Sequence, residues 1–125
     1  MRVASFAVGL LLAAIPALGR RTHAGEYVAS EHPAGELRLR LQRDGVFVLR
    51  LAVWDPVVRS FVAEREHIGR WRCTVHGIEL RTSTRRIRYT RFDSPTRGWK
   101  WERSNLPTFA DGISLYCVLG TAYWT

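Results

Sequence analysis

The chain is 125 residues long, 46% hydrophobic and 24% charged, which suffices for one globular domain and excludes a multidomain enzyme. Its 19 basic residues outnumber 11 acidic ones for a net charge of +8, and all but Lys100 are arginine. Five Trp, four Tyr and five Phe supply the apolar bulk that a disordered polypeptide lacks, so the chain is expected to fold.

Arg2 precedes an apolar run from Val3 to Leu18 that reaches Pro16 and the small-residue sequence Ala17-Leu18-Gly19. Basic, then apolar, then small is the order of a secretory signal peptide, here cleaved after Gly19. An uncleaved anchor is the competing reading, because Arg20 and Arg21 set more positive charge behind the run than Arg2 sets ahead of it. The run spans about 16 residues and is interrupted by proline, where a bilayer span takes roughly 20. The expected organisation is therefore a signal peptide over 1–19 and one domain over 20–125, periplasmic or secreted and not membrane-spanning after cleavage. No cysteine follows the run to carry a lipid. Losing Arg2 leaves 18 basic and 11 acidic residues, a charge of +7. In the cytosol that excess would point to nucleic acid. Export removes that partner and leaves anionic envelope components, attracted by the same electrostatics, or a protein partner.

Strands are expected from end to end, the first near Gly25 to Ser30. Leu37, Leu39 and Leu41 alternate with Arg38, Arg40 and Gln42, the period of two that buries one face of a strand. Asp44-Gly45 supplies a tight turn, and Phe47, Leu49, Leu51 and Val53 continue on one face, so 35–53 reads as a hairpin. Trp54-Asp55-Pro56 ends it, since proline donates nothing to a ladder. A strand follows over Phe61 to Glu66, then Gly69 and a separate strand with Trp71, Cys73 and Val75 facing one way. Beyond the His76-Gly77 turn, alternation places Ile78 with Leu80, Ile87 with Tyr89, and Trp99 with Trp101. Asn105-Leu106-Pro107-Thr108 is a turn, and the last strand holds Ile113, Leu115, Cys117 and Leu119. The fold class is all-β, a small antiparallel barrel or sandwich of about eight strands. Tyr123 and Trp124 are positioned to close one mouth.

Cys73 and Cys117 are 44 residues apart. In an oxidising compartment an even pair reads as one disulfide, contributing roughly 4 kcal/mol on chain-entropy grounds. The other reading is two buried thiols, each on the apolar face of its strand. Neither lies in a Cys-x-x-Cys, which disfavours zinc or thiol redox chemistry.

If the alternation holds, Arg38, Arg40, Arg70, Arg72, Arg81, Arg86 and Arg88 all point outward and form a candidate face for an anionic partner, because a guanidinium makes two parallel hydrogen bonds to phosphate or carboxylate. The plainer reading is solvated surface, with Glu64, Glu66 and Glu79 as cross-strand partners. Trp71, Trp99 and Trp101 point inward, either lining a small-ligand cavity or filling the core. His23, His32, His67 and His76 form no metal-ligand spacing, and Glu64 and Glu66 face away from His67. No serine lies in a strand-to-helix elbow. No metal, cofactor or catalytic residue is expected.

The run Gly25-x-Tyr27, Gly35-x-Leu37-x-Leu39-x-Leu41-x-x-Asp44-Gly45-x-Phe47-x-Leu49, Gly69-x-Trp71 and Gly77-x-x-Leu80 resembles the N-terminal domain of the NlpE family of envelope proteins, over about residues 25–80. The resemblance implies a small lipocalin-like antiparallel barrel in the cell envelope. Two family features have no counterpart. The family's Cys-x-x-Cys is replaced here by Ser30-Glu31-His32-Pro33-Ala34-Gly35, and its lipidated cysteine is absent. Copper or thiol chemistry and lipid anchoring are therefore not carried over. The expected function is an exported, non-catalytic barrel that binds a partner or small ligand in envelope homeostasis or stress. The alternatives are a periplasmic inhibitor of a hydrolase such as lysozyme, disfavoured because lysozymes are themselves basic, and a small hydrolase with a site at the barrel mouth.

Overall fold

Leu37, Leu39 and Leu41 do what their period of two implies: each is 2% exposed or less, while Arg38 and Arg40 between them face solvent. A computed structural model of the chain describes residues 23–29, 32–93 and 97–118. The expected signal peptide, Leu119, Tyr123 and Trp124 lie outside them. Eight strands follow in order: β1 (Gly25–Ala29), β2 (Glu36–Leu41), β3 (Val46–Asp55), β4 (Ser60–Cys73), β5 (Gly77–Arg81), β6 (Arg86–Phe92), β7 (Gly98–Ser104) and β8 (Leu115–Cys117). Each pairs antiparallel with the next, and β8 pairs with β1 through Tyr27 with Cys117 and Val28 with Tyr116. The sheet is a closed barrel, not a sandwich.

The inward positions fill the interior with one hydrophobic cluster that includes Tyr27, Leu37, Phe47, Leu49, Trp71, Leu80, Tyr89, Trp99 and Leu115. At the upper end, where β2 turns into β3, Gly45 takes φ 89° and the Asp44 carboxylate accepts from Val46 N at 3.0 Å. Trp71 locks this turn to β4, its indole N–H donating to Gln42 O at 2.8 Å and its backbone N–H to Gly45 O at 2.9 Å. His23 covers the same end, edge-on to Trp99 with ring centroids 5.0 Å apart. Tyr27 donates to its carbonyl at 2.7 Å, and burial pushes that phenol up to about 12.

Two expected strands, on either side of Gly69, are one. Gly69 does not break β4 but permits it, because a methyl group there would collide with the Arg81 carbonyl of β5. The merged strand pairs with β3 from Ser60 to Arg70, past a bulge at Leu51/Ala52, yet with β5 only from Arg70 to Cys73. Residues 60–69 therefore carry an unpaired edge among the described residues, and Val53 to Val62 form a two-stranded hairpin reaching beyond the last β2–β3 pair, Glu36 with Ala52. Phe61 and Val62 are exposed there, whereas alternation implied one buried face.

The lower end is closed by the loop between β7 and β8, and β8 begins at Leu115, later than the expected Ile113. Ala110 enters the core, and Phe109 stacks on His67 at 4.7 Å and 14°. His32 Nδ1 accepts from Ala34 N at 3.0 Å, which leaves Nε2–H to donate to Phe109 O at 2.7 Å. Asp111 latches this loop: its carboxylate accepts from Ser104 Oγ at 2.7 Å, Thr108 Oγ1 at 2.7 Å and Thr108 N at 3.1 Å. Ser104 Oγ in turn accepts from Trp101 Nε1 at 3.0 Å.

Burial pushes the Asp111 carboxyl up, but the bonds from Thr108 and Ser104 outweigh it and hold it below the ordinary value of 3.8. A lowered folded-state value means that the contribution is complete above the ordinary aspartate range and is lost as pH falls through the lowered one. Asp111→Ala is expected to destabilise the barrel by about 1–3 kcal/mol at neutral pH, with the deficit shrinking toward acid pH. Thermal melts of both proteins across a pH series measure it.

Candidate functional site: the arginine wall

Strand register decides which arginines meet. Arg70 on β4 lies opposite Arg81 on β5, which lies opposite Arg86 on β6. One row away, Arg72 lies opposite Glu79, Glu79 opposite Arg88, and Arg88 opposite Arg103 on β7. Five of the seven expected arginines thus share one wall, joined by Arg103. Alternation from Trp99 and Trp101 would turn Arg103 inward. The bulge at Arg88/Tyr89 shifts the register and turns it out.

Glu79 is the anchor of the wall. It stands on the outer face, yet its side chain is only 3% exposed, because three guanidinium groups lie over it. Arg88 Nε donates to Oε2 at 3.0 Å, Arg72 Nη2 lies 3.3 Å from Oε1, and Arg81 Nε lies 3.8 Å from the same oxygen. Burial pushes the carboxyl up, but the Arg88 hydrogen bond and the charges of Arg72, Arg88 and Arg81 prevail and hold it below 4.5. Beside it, Asp44, Arg70, Trp71, Arg72 and Arg81 line an open cleft of about 250 Å³. Its size and donors suit one phosphate or carboxylate group.

Arg38 and Arg40 do not join this wall. They flank Glu26 of β1, each 3.9 Å from one of its oxygens, and Arg38 also pairs with Glu36. Between the two groups run the Val48 and Ile68 pair, with Ile68 57% exposed, and the pair Arg50 to Glu66 at 2.7 Å. The expected single face is two groups.

Trp71 and Trp99 are at most 1% exposed and stand inside the packed cluster, and Trp101 packs against it half-buried. They fill the barrel; the expected cavity lining is core. Cys73 and Cys117 also pack against the core, both at the upper end. No disulfide joins them in the structure, and their strands, β4 and β8, lie opposite in the ring. Among the described residues no three His, Cys, Asp or Glu side chains gather to hold a metal ion. His67, packed under Phe109, is lowered by burial and by the charge of Arg85, a consequence of closing the lower mouth.

Fold and site together define an all-β protein: a closed eight-stranded antiparallel barrel with a core-filled interior and an arginine-rich outer wall. Compared with known protein families, curated proteins and solved structures, the chain matches none.

Glu79→Gln keeps the shape of the anchor and removes its charge. The expected cost is about 1–2 kcal/mol, less than for a fully buried pair because the three arginines are 37–54% exposed. What remains is mutual repulsion of cations, so the deficit in denaturant melts is expected to narrow as salt is raised.

Proposed function

We propose that the chain is an exported, non-catalytic barrel that acts through its outer surface, with the β4–β6 wall binding an anionic partner in the cell envelope. One observation carries this reading. Arg70, Arg81 and Arg86 face one another directly across three strands, an arrangement that costs stability through like-charge repulsion. Folding uses Glu79 to hold Arg72, Arg81 and Arg88, whereas at the two ends of the row Arg70 reaches only the Asp44 carbonyl, at 3.4 Å, and Arg86 has no carboxylate partner among the described residues. An anionic ligand would provide the missing charge. The filled interior favours surface binding over a ligand carried in the lumen. Envelope location rests on the signal peptide read in the first 19 residues and on the resemblance to NlpE N-terminal domains.

Arg70 and Arg86 make no ion pair with Glu79, so replacing both by serine spares the anchor. Titration with inorganic polyphosphate is expected to show binding that weakens with salt, reduced about tenfold in the Arg70→Ser, Arg86→Ser variant and unchanged in Arg38→Ser. Equal loss in both variants would show diffuse attraction to net charge, and the wall would have no special part.

The mass of the protein isolated from its own envelope tests export. The expected species begins at Arg20. The same mass decides between a Cys73–Cys117 bond, which removes two hydrogens and requires β4 and β8 to approach across the upper mouth, and the two thiols of the structure. A full-length mass would overturn export, and a mass without the two-hydrogen deficit would overturn the bond alone.

A further inference from the structure

Turns at the ends of hairpins are normally built from Gly, Asn, Asp and Ser, residues that water solvates well. The β3–β4 turn is Pro56-Val57-Val58-Arg59, and it projects at the lower end beyond the last β2–β3 pair. Val57 is 88% exposed and Val58 59%. Immediately behind them Trp54 and Phe61, opposite each other in the ladder, pack edge to face with centroids 5.3 Å apart and are still 51% and 47% exposed. Four large apolar side chains therefore share one tip, with none of the core against them. Such a patch, continuous and rimmed by charge, marks an interaction surface.

We propose that this tip inserts into the interfacial layer of a bilayer carrying anionic lipid. Three features select that occupant. Trp beside Phe and Val is the composition that settles at the boundary between headgroups and acyl chains. The backbone of the tip is provided for internally, since Asp55 Oδ1 accepts from Val57 N at 2.8 Å and from Val58 N at 3.4 Å, so these donors stay bonded as water leaves. Finally, Arg59 stands in the turn, Arg65 on the hairpin and Arg85 on the neighbouring β5–β6 loop, within a chain of net charge +8. Asp55 and Glu64 oppose them locally, but the sum attracts an anionic surface and repels a second copy of the chain. The unpaired edge beyond Phe61, residues 62–69, sets the depth: its backbone groups on the β5 side need water, so insertion stops at the turn and the aromatic pair. This inference stands apart from the arginine wall, which lies on β4–β6.

The test uses the full protein with vesicles of phosphatidylcholine alone or mixed with phosphatidylglycerol, read by co-sedimentation and by quenching of tryptophan with brominated acyl chains. Partition is expected only onto the mixed vesicles, with quenching that is lost in Trp54→Phe, since Trp71 and Trp99 are buried in the core, Trp101 lies on β7 away from the hairpin, and Trp124 is not a residue of the tip. Replacing Val57 and Val58 by serine removes exposed side chains without touching the core. It is expected to weaken partition about tenfold or more while leaving polyphosphate binding as it was. Undiminished partition by that variant, or quenching that survives Trp54→Phe, would overturn the proposal. So would a concentration-dependent dimer that the serine variant abolishes, which would assign the tip to a second copy.

Discussion

Closing the ring is the condition on which everything else rests. An antiparallel sheet of eight strands closes only if the first and last can pair in register, and here that joint is short, two residue pairs between β1 and β8. One backbone bond reinforces it, from Val118 N to Glu26 O at 3.1 Å, while a second, from Cys117 N to Arg97 O at 2.8 Å, ties β8 to the start of β7. Closure gives every strand an inside and an outside, and so turns a simple alternation of leucine and arginine into a core and a charged wall. With eight strands the inside is about as wide as two layers of side chains. Tryptophan and tyrosine in those positions leave the barrel filled, and its chemistry is displaced to the exterior.

That displacement explains how an excess of arginine is tolerated. Glu79 is nearly as inaccessible as a core leucine although it lies on the outer surface, because the stems and heads of three arginines close over it. A carboxylate so placed is dehydrated, which opposes its ionisation. Arg88, Arg72 and Arg81 together reverse the balance. Glu26 performs a looser version of the same task for Arg38 and Arg40 on the opposite side of β3. The two groups are kept apart by Val48 and the exposed Ile68, and by the Arg50–Glu66 pair, whose charges cancel.

Much of this was legible in the residues. The Leu37 to Val53 segment announced its hairpin because its period, its turn and its apolar content all agree, and agreement between levels is what local patterns report well. Gly69 misled for a physical reason: glycine serves both to turn a chain and to let two backbones touch, and its identity does not distinguish them. Arg103 was hidden by a bulge, which shifts parity without leaving a mark in the sequence. The Asp111 latch joins Ser104, Thr108 and Asp111 across a loop, and no period describes it. Whether outward arginines meet depends on register between strands, which alternation within one strand does not contain.

The unpaired stretch of β4 bears on how the protein avoids polymerising. Among the described residues, 60–69 of β4 have no partner strand on the β5 side, and such an edge is a template for sheet growth. The β3–β4 register passes from Arg65 opposite Leu51 to Ala63 opposite Ala52, so Glu64 is the extra residue of a bulge in the middle of that edge. A bulge interrupts the even spacing of donors and acceptors that an added strand would have to match, and Glu64, Arg65 and Glu66 set three charges at the same place. The irregularity that lets β4 follow β3 thus also blunts its exposed side.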